Sequence, residues 1–154
     1  MVNPPPFDLA AAHRFFAADC FNRAWALIDK PDRTSDEDQQ MISLSQASLW
    51  HWTERADCAP RNLSIGYWQL SHIYSAVGLA PEARRYADLC LRHSGNEPPF
   101  FLGFAYEALA RAARVACDEE TVARHLETAL HYCSLVDDAE DRTALEDKLS
   151  QFRR

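Results

Sequence analysis

The sequence predicts an all-α protein, and three observations carry that prediction. Apolar residues recur at three- and four-residue intervals through most of the chain, acidic, hydroxyl or proline residues stand where several such stretches begin, and no stretch alternates strictly or carries a β-branched run between hairpin turns. With only four glycines in 154 residues, long segments run without interruption. Seven helices joined by short links are expected, packed as antiparallel hairpins that bury each other's apolar stripes.

The first helix is predicted over 7–28, with Leu9, Ala12, Phe16, Cys20, Ala24 and Leu27 inward and Lys30–Pro31 as its stop. Thr34 or Ser35 caps the second, with Asp36, Glu37 and Asp38 in the first turn, where negative charge suits the helix dipole. Met41, Leu44, Ser48 and Trp52 mark its buried stripe, which runs to about Arg55. After a break at 57–60, a third helix covers about 62–77 and stops at Gly78. Pro81 suits the first turn of a fourth, with Ala83, Tyr86, Ala87, Cys90 and Leu91 inward and Ser94–Gly95 as its end. Pro98–Pro99 opens a fifth with Phe100, Phe101, Phe104, Ala105, Ala108 and Ala112 inward; Asp118–Glu120 starts a sixth bearing Val122, Leu126, Ala129, Leu130 and Cys133; Asp137–Asp138 begins a seventh with Leu145, Leu149 and Phe152. Residues 1–6, with Pro4–Pro6, read as an extended lead-in to one helical domain over 7–152.

The segment 67–91 resembles a tetratricopeptide repeat. That repeat places an aromatic, a leucine, a small residue and a tyrosine along its first helix. Here Tyr67, Leu70, Ser71 and Tyr74 take those places, Gly78 the turn, and Ala83, Ala87 and Cys90 the small positions of the second helix. Phe101, Phe104, Ala105 and Ala108 echo the pattern, after which the register slips because Ala123 lies too far along. The stretches PDRTSDEDQQM, SLWHW and FAYEALARA also resemble a group of small bacterial tetratricopeptide-like proteins with no activity attached. The resemblance implies a short right-handed superhelix whose seventh helix is a solubilising cap, and it implies that the first helix of each pair lines a groove. Carried over position by position, the groove residues are Ile65, Trp68, His72 and Ser75, with Leu102, Tyr106 and Leu109 on the weaker unit.

Trp68, His72 and Tyr106 form an aromatic and polar mixture suited to a peptide or a flat ligand. Core packing is the competing reading for Trp68 and Tyr106, and His72 reads first as an ordinary half-exposed histidine. A second candidate is the polar corner of His51, Trp52, Arg61 and Asn62. It reads as a small-molecule or catalytic pocket or, preferred, as loop fastening, with Arg61 paired to Glu54 and Asn62 as a helix cap. Glu107, Arg111 and Arg114 read as a solvent-facing ion-pair stripe.

The formal net charge of −7 argues against nucleic acid, which demands clustered basic residues. No apolar run approaches the roughly 20 residues of a membrane span. The opening MVNPPPFDLAAAHRFF lacks the layout of a signal peptide. Cys20, Cys58, Cys90, Cys117 and Cys133 occur singly and read as reduced thiols in a cytoplasmic protein. No HExxH, CxxC, Gly-x-Ser-x-Gly or phosphate loop occurs, and His51-x2-Glu54 stands alone, so no metal, no cofactor and no catalytic residue is expected. A protein- or peptide-binding module therefore ranks above an enzyme, and self-association as a homodimer through Phe100, Phe101 and Phe152 is a third reading.

Overall fold

In the computed structural model, which describes residues 4–153, the chain is all-α with helices α1 (Leu9–Ile28), α2 (Ser35–Thr53), α3 (Pro60–Ala76), α4 (Ala80–Ser94), α5 (Pro99–Val115), α6 (Glu119–Ser134) and α7 (Ala139–Ser150), closed by a single 3-10 turn at Gln151–Arg153. Of the predicted lead-in, residues 1–3 lie outside the described residues, and Pro4–Pro6 are exposed and non-helical. No described residue is in a strand. The chain divides into two compact units, the first ending at Ala59 and the second starting at Pro60.

The first unit is the α1–α2 hairpin. Thr34 caps α2 with a full capping box, its hydroxyl accepting from Glu37 N–H while the Glu37 carboxylate accepts from Thr34 N–H at 2.9 Å. Arg33 braces the link by donating to the carbonyls of Leu27, Ile28 and Lys30 and to Asp38. The helices run antiparallel, since His13 meets His51 and Ser48 Oγ donates to Ala17 O at 2.6 Å. Their contact is made mostly of small residues, Ala17, Cys20 and Ala24 on α1 and Ser45 and Ser48 on α2, with Met41 of α2 the large buried side chain among them. This corrects the stripe expected for α1: Leu9 and Phe16 are 50% and 42% exposed, and His13 and Ala17 take the inward face. Small side chains let the helix axes approach, and that geometry outweighs the burial of two large residues.

The second unit holds α3 to α7. Helix α3 packs on α4 and α5, α4 on α5, α5 on α6 and α7, and α6 on α7. Three serines that replace apolar residues along the α3–α4 seam are all bonded: Ser71 Oγ donates to Ala83 O at 2.8 Å, and Ser64 Oγ lies 2.7 Å from Ser94 Oγ. Helix α5 is the hub, with Gly103, Ala105, Glu107, Ala108, Leu109, Ala110, Ala112 and Ala113 buried. An added Cβ on Gly103 would overlap Leu145, which fixes how closely α7 seats on α5. Helix α3 begins at Pro60, two residues earlier than expected, so Pro60 takes the first-turn place that proline favours and Asn62 lies inside the helix rather than capping it.

Two turns in this unit are the same. After α3, Gly78 takes φ 78°, Gly78 N–H donates to Ser75 O and Leu79 N–H to Tyr74 O. After α5, Cys117 takes φ 58°, Cys117 N–H donates to Arg114 O and Asp118 N–H to Ala113 O. Both are Schellman closures, the second built on a cysteine where glycine is usual. Counted from these turns, Val122 rather than Ala123 is buried at the offset of Ala83, and Ala129 at that of Cys90.

Candidate functional site

The first helix of each hairpin in the second unit contributes to one apolar groove. Helices α3 and α5 run parallel here, Arg61 beside Glu97 and Phe101 at one level and Trp68 beside Phe104 and Glu107 at the next. Ile65 and Trp68 from α3, Phe100, Phe101 and Phe104 from α5, and Ala144 and Lys148 from α7 line a recess of about 270 Å³. Larger hollows of about 460 and 470 Å³ are lined mainly by charged and polar side chains of α4, α6 and α7, and they are ordinary solvated helix surface. The apolar recess is smaller than the ~300–1,000 Å³ of a drug-sized site, which suits it to one or two inserted side chains.

Trp68 is the pivot. Its indole N–H donates to Glu107 Oε2 at 2.8 Å, its ring meets Phe104 edge-on at 5.3 Å between centroids, and Lys148 Nζ stands 5.6 Å from the ring centroid. Glu107 is fully buried and bonded to Arg111, whose side chain is 19% exposed. The solvent-facing stripe expected of Glu107, Arg111 and Arg114 is therefore overturned at its first member. Glu107 faces α3, and the Trp68 indole N–H from that helix together with the Arg111 guanidinium from α5 itself satisfies its charge. Arg114 donates to Phe152 O at 3.0 Å and lies 4.5 Å over the Phe152 ring, so the last aromatic of the chain is pinned on α5. Arg111 Nε and Ser75 Oγ are buried without a hydrogen-bond partner among the described residues.

Of the groove residues named from the sequence, Ile65 and Trp68 line the recess, and His72 lies beside it with its ring 5.8 Å from Trp68. Leu109 is buried in the core. Tyr106 turns to α6, stacking on Tyr132 at 5.8 Å and meeting His125 at 5.9 Å. Phe100 and Phe101, considered above for self-association, are half-buried in the recess, and Phe152 is half-buried on its arginines.

The four corner residues fall in different units. His51 Nδ1 lies 2.9 Å from His13 Nδ1, and Arg55 lies 3.8 Å over the Trp52 ring while gripping Asp57 with two bonds of 2.9 and 2.7 Å. Burial and then the neighbouring His13 push the His51 pKa below the usual imidazole value. Arg61 pairs with Glu97 at 3.3 Å, the partner that the sequence had offered as Glu54. Among the described residues no group of three or more His, Cys, Asp or Glu side chains is placed to hold a metal ion, and no helix is long and apolar enough to cross a membrane.

No protein-family model, curated protein or solved structure matches the chain.

Proposed function

We propose that the second unit is a tetratricopeptide-like peptide-binding module that receives an apolar side chain of a partner protein in the α3–α5–α7 recess. The observation that carries this reading is a half-buried tryptophan held in place by a buried carboxylate at the wall of an otherwise apolar recess. Fixing Trp68 through Glu107 lowers the entropy lost when a ligand packs against it. Aromatic anchors of this kind dominate binding energy at protein interfaces. Two hairpins closed by the same turn, with small residues at the seams, support the repeat-like reading. The rival small-molecule or enzymatic reading, built on His51, Trp52, Arg61 and Asn62, has less support, because ordinary structural partners already engage His51, Trp52 and Arg61.

Panning a displayed peptide library on the full chain tests the proposal. Enriched peptides are expected to share a large apolar residue and to lose at least tenfold in affinity against Trp68→Ala and Phe101→Ala, with Tyr106→Ala weaker in effect. Peptides that bind all of these folded variants equally would sink the idea. Concentration-independent sedimentation of the unliganded chain is expected; dimerisation abolished by Phe101→Ala would assign the recess to a second copy instead.

A further inference from the structure

Lys148 is the one charged side chain lining the α3–α5–α7 recess among the described residues, and apolar insertion alone leaves it without a role. It comes from α7, a helix outside the repeat pattern, and it is half-buried. Its ammonium nitrogen stands 5.6 Å from the centre of the Trp68 ring, at the wall where an inserted side chain rests. The stem of such a lysine covers apolar surface while its charged tip reaches the rim. No carboxylate of the described residues lines the recess. Two stand close by, and arginines engage both: Glu97 with Arg61 and Glu107 with Arg111, at 10% and 0% side-chain exposure. On α7 itself, Glu146 and Asp147 line a different hollow, towards α6. A ligand entering the recess therefore meets positive charge, although the chain as a whole carries −7. Exposed charges more than about 8 Å away are largely screened at physiological salt, so the remote acidic surface does not cancel this.

We propose that Lys148 selects partner segments in which an Asp or Glu stands beside the inserted apolar residue. This rests on the peptide-binding reading of the same recess and names the chemistry of the partner. In an extended segment, residues two apart face the same way and lie about 7 Å from each other. A carboxylate two positions from an anchor seated on Trp68 thus comes within reach of an ammonium 5.6 Å from that ring. Packing against the aromatic wall removes water from the pair and strengthens it over one in open solvent. Helix α7 then does more than close the stack, because it supplies the residue that sets specificity.

A displayed peptide library with a fixed central phenylalanine and random flanking positions tests this. Each peptide is joined to its carrier through the C-terminus, so that only side-chain carboxylates are on offer. Pools selected on the full chain are expected to be rich in Asp and Glu beside the anchor, and pools selected on Lys148→Glu to be rich in Lys and Arg. Arg92→Gln, which removes an exposed positive charge on α4 away from the recess, is expected to keep the wild-type pattern. A selected peptide should lose about threefold in affinity when its acidic residue is replaced by the amide, and lose nothing against Lys148→Gln. That preference should shrink between ~0.1 and ~1 M salt, as the screening length falls from ~10 to ~3 Å. Flanks of no consistent charge, in peptides that still fail on Trp68→Ala, overturn the inference and leave the recess as a peptide site. Acidic flanks that persist on Lys148→Glu overturn it too. Pools that ignore Trp68→Ala, or no enrichment at all, remove both readings together.

Discussion

Glu107 is the residue whose role the structure changes most. A carboxylate at zero exposure is costly unless its charge is met, and here Arg111 and the Trp68 indole meet it. Glu107→Ala strands a largely buried guanidinium and an indole N–H, and is expected to cost about 3 kcal/mol. Glu107→Gln keeps an acceptor for Trp68 while losing the charge, and is expected to cost about 1–2 kcal/mol. Urea unfolding gives both values, and Trp68 emission is expected to shift in the alanine variant more than in the glutamine one. None of this was legible from FAYEALARA, because Glu107 with Arg111 four residues later looks the same whether it faces water or a neighbouring tryptophan 39 positions away. His13 escaped notice for a similar reason. Its hydrogen-bond partner His51 lies 38 positions along the chain, and a contact at that separation leaves no local spacing to read. Trp68 was legible because a repeat pattern fixes which positions of a helix face the groove.

At the level of the elements, helix starts and stops were the most readable part of the chain. Thr34, Asp118 and Asp138 each accept from a first-turn N–H, and Gly78 ends α3 as expected. Such signals are local, so no tertiary contact has to be known to read them. The α5–α6 turn was harder because its left-handed residue is Cys117, which announces nothing. That turn yields a paired test. A left-handed conformation costs an L residue roughly 1–2 kcal/mol, and glycine gives back about 0.5–1 kcal/mol of that advantage in backbone entropy. Cys117→Gly is therefore expected to stabilise by about 0.5–1 kcal/mol, and Gly78→Ala, where no atom stands within 4 Å of the added carbon, to destabilise by about 1 kcal/mol through the backbone alone. The two denaturation midpoints should move in opposite directions; movement in the same direction would refute the common-turn account. The seat of α7 on α5 gives a third case. Gly103→Ala drives a methyl into Leu145, itself fully buried, and is expected to cost about 1–3 kcal/mol by overpacking, with Leu145→Ala in the same chain recovering part of the loss.

For the whole molecule, charge sets the response to acid. The net charge of −7 comes with carboxylates whose pKa values the fold lowers: Glu37 through hydrogen bonds from Lys30 and Thr34, Asp57 through those from Arg55, and Asp118 through those from Thr121. A depressed carboxylate stabilises the fold above its unfolded value, near ~4, and that contribution is lost as pH falls through the folded value. His125 acts earlier. Burial first, then the charges of Arg84 and Arg124, lower its pKa, and Asp88 and Asp118 offset them only in part. The unfolded chain takes up this proton near pH ~6.5 while the folded chain still refuses it, so stability declines as pH falls from about 6.5 towards the folded value and the loss then levels off. Two separate acid steps are expected in stability measured by urea unfolding from pH 7.5 to 3. His125→Gln should reduce the upper step, to which His51 with its own lowered pKa also contributes, and leave the lower one, whereas Asp118→Asn should weaken the lower step, since it removes both a depressed carboxylate and the charged cap of α6. An upper step unchanged in His125→Gln would transfer that proton uptake to another histidine and refute the assignment.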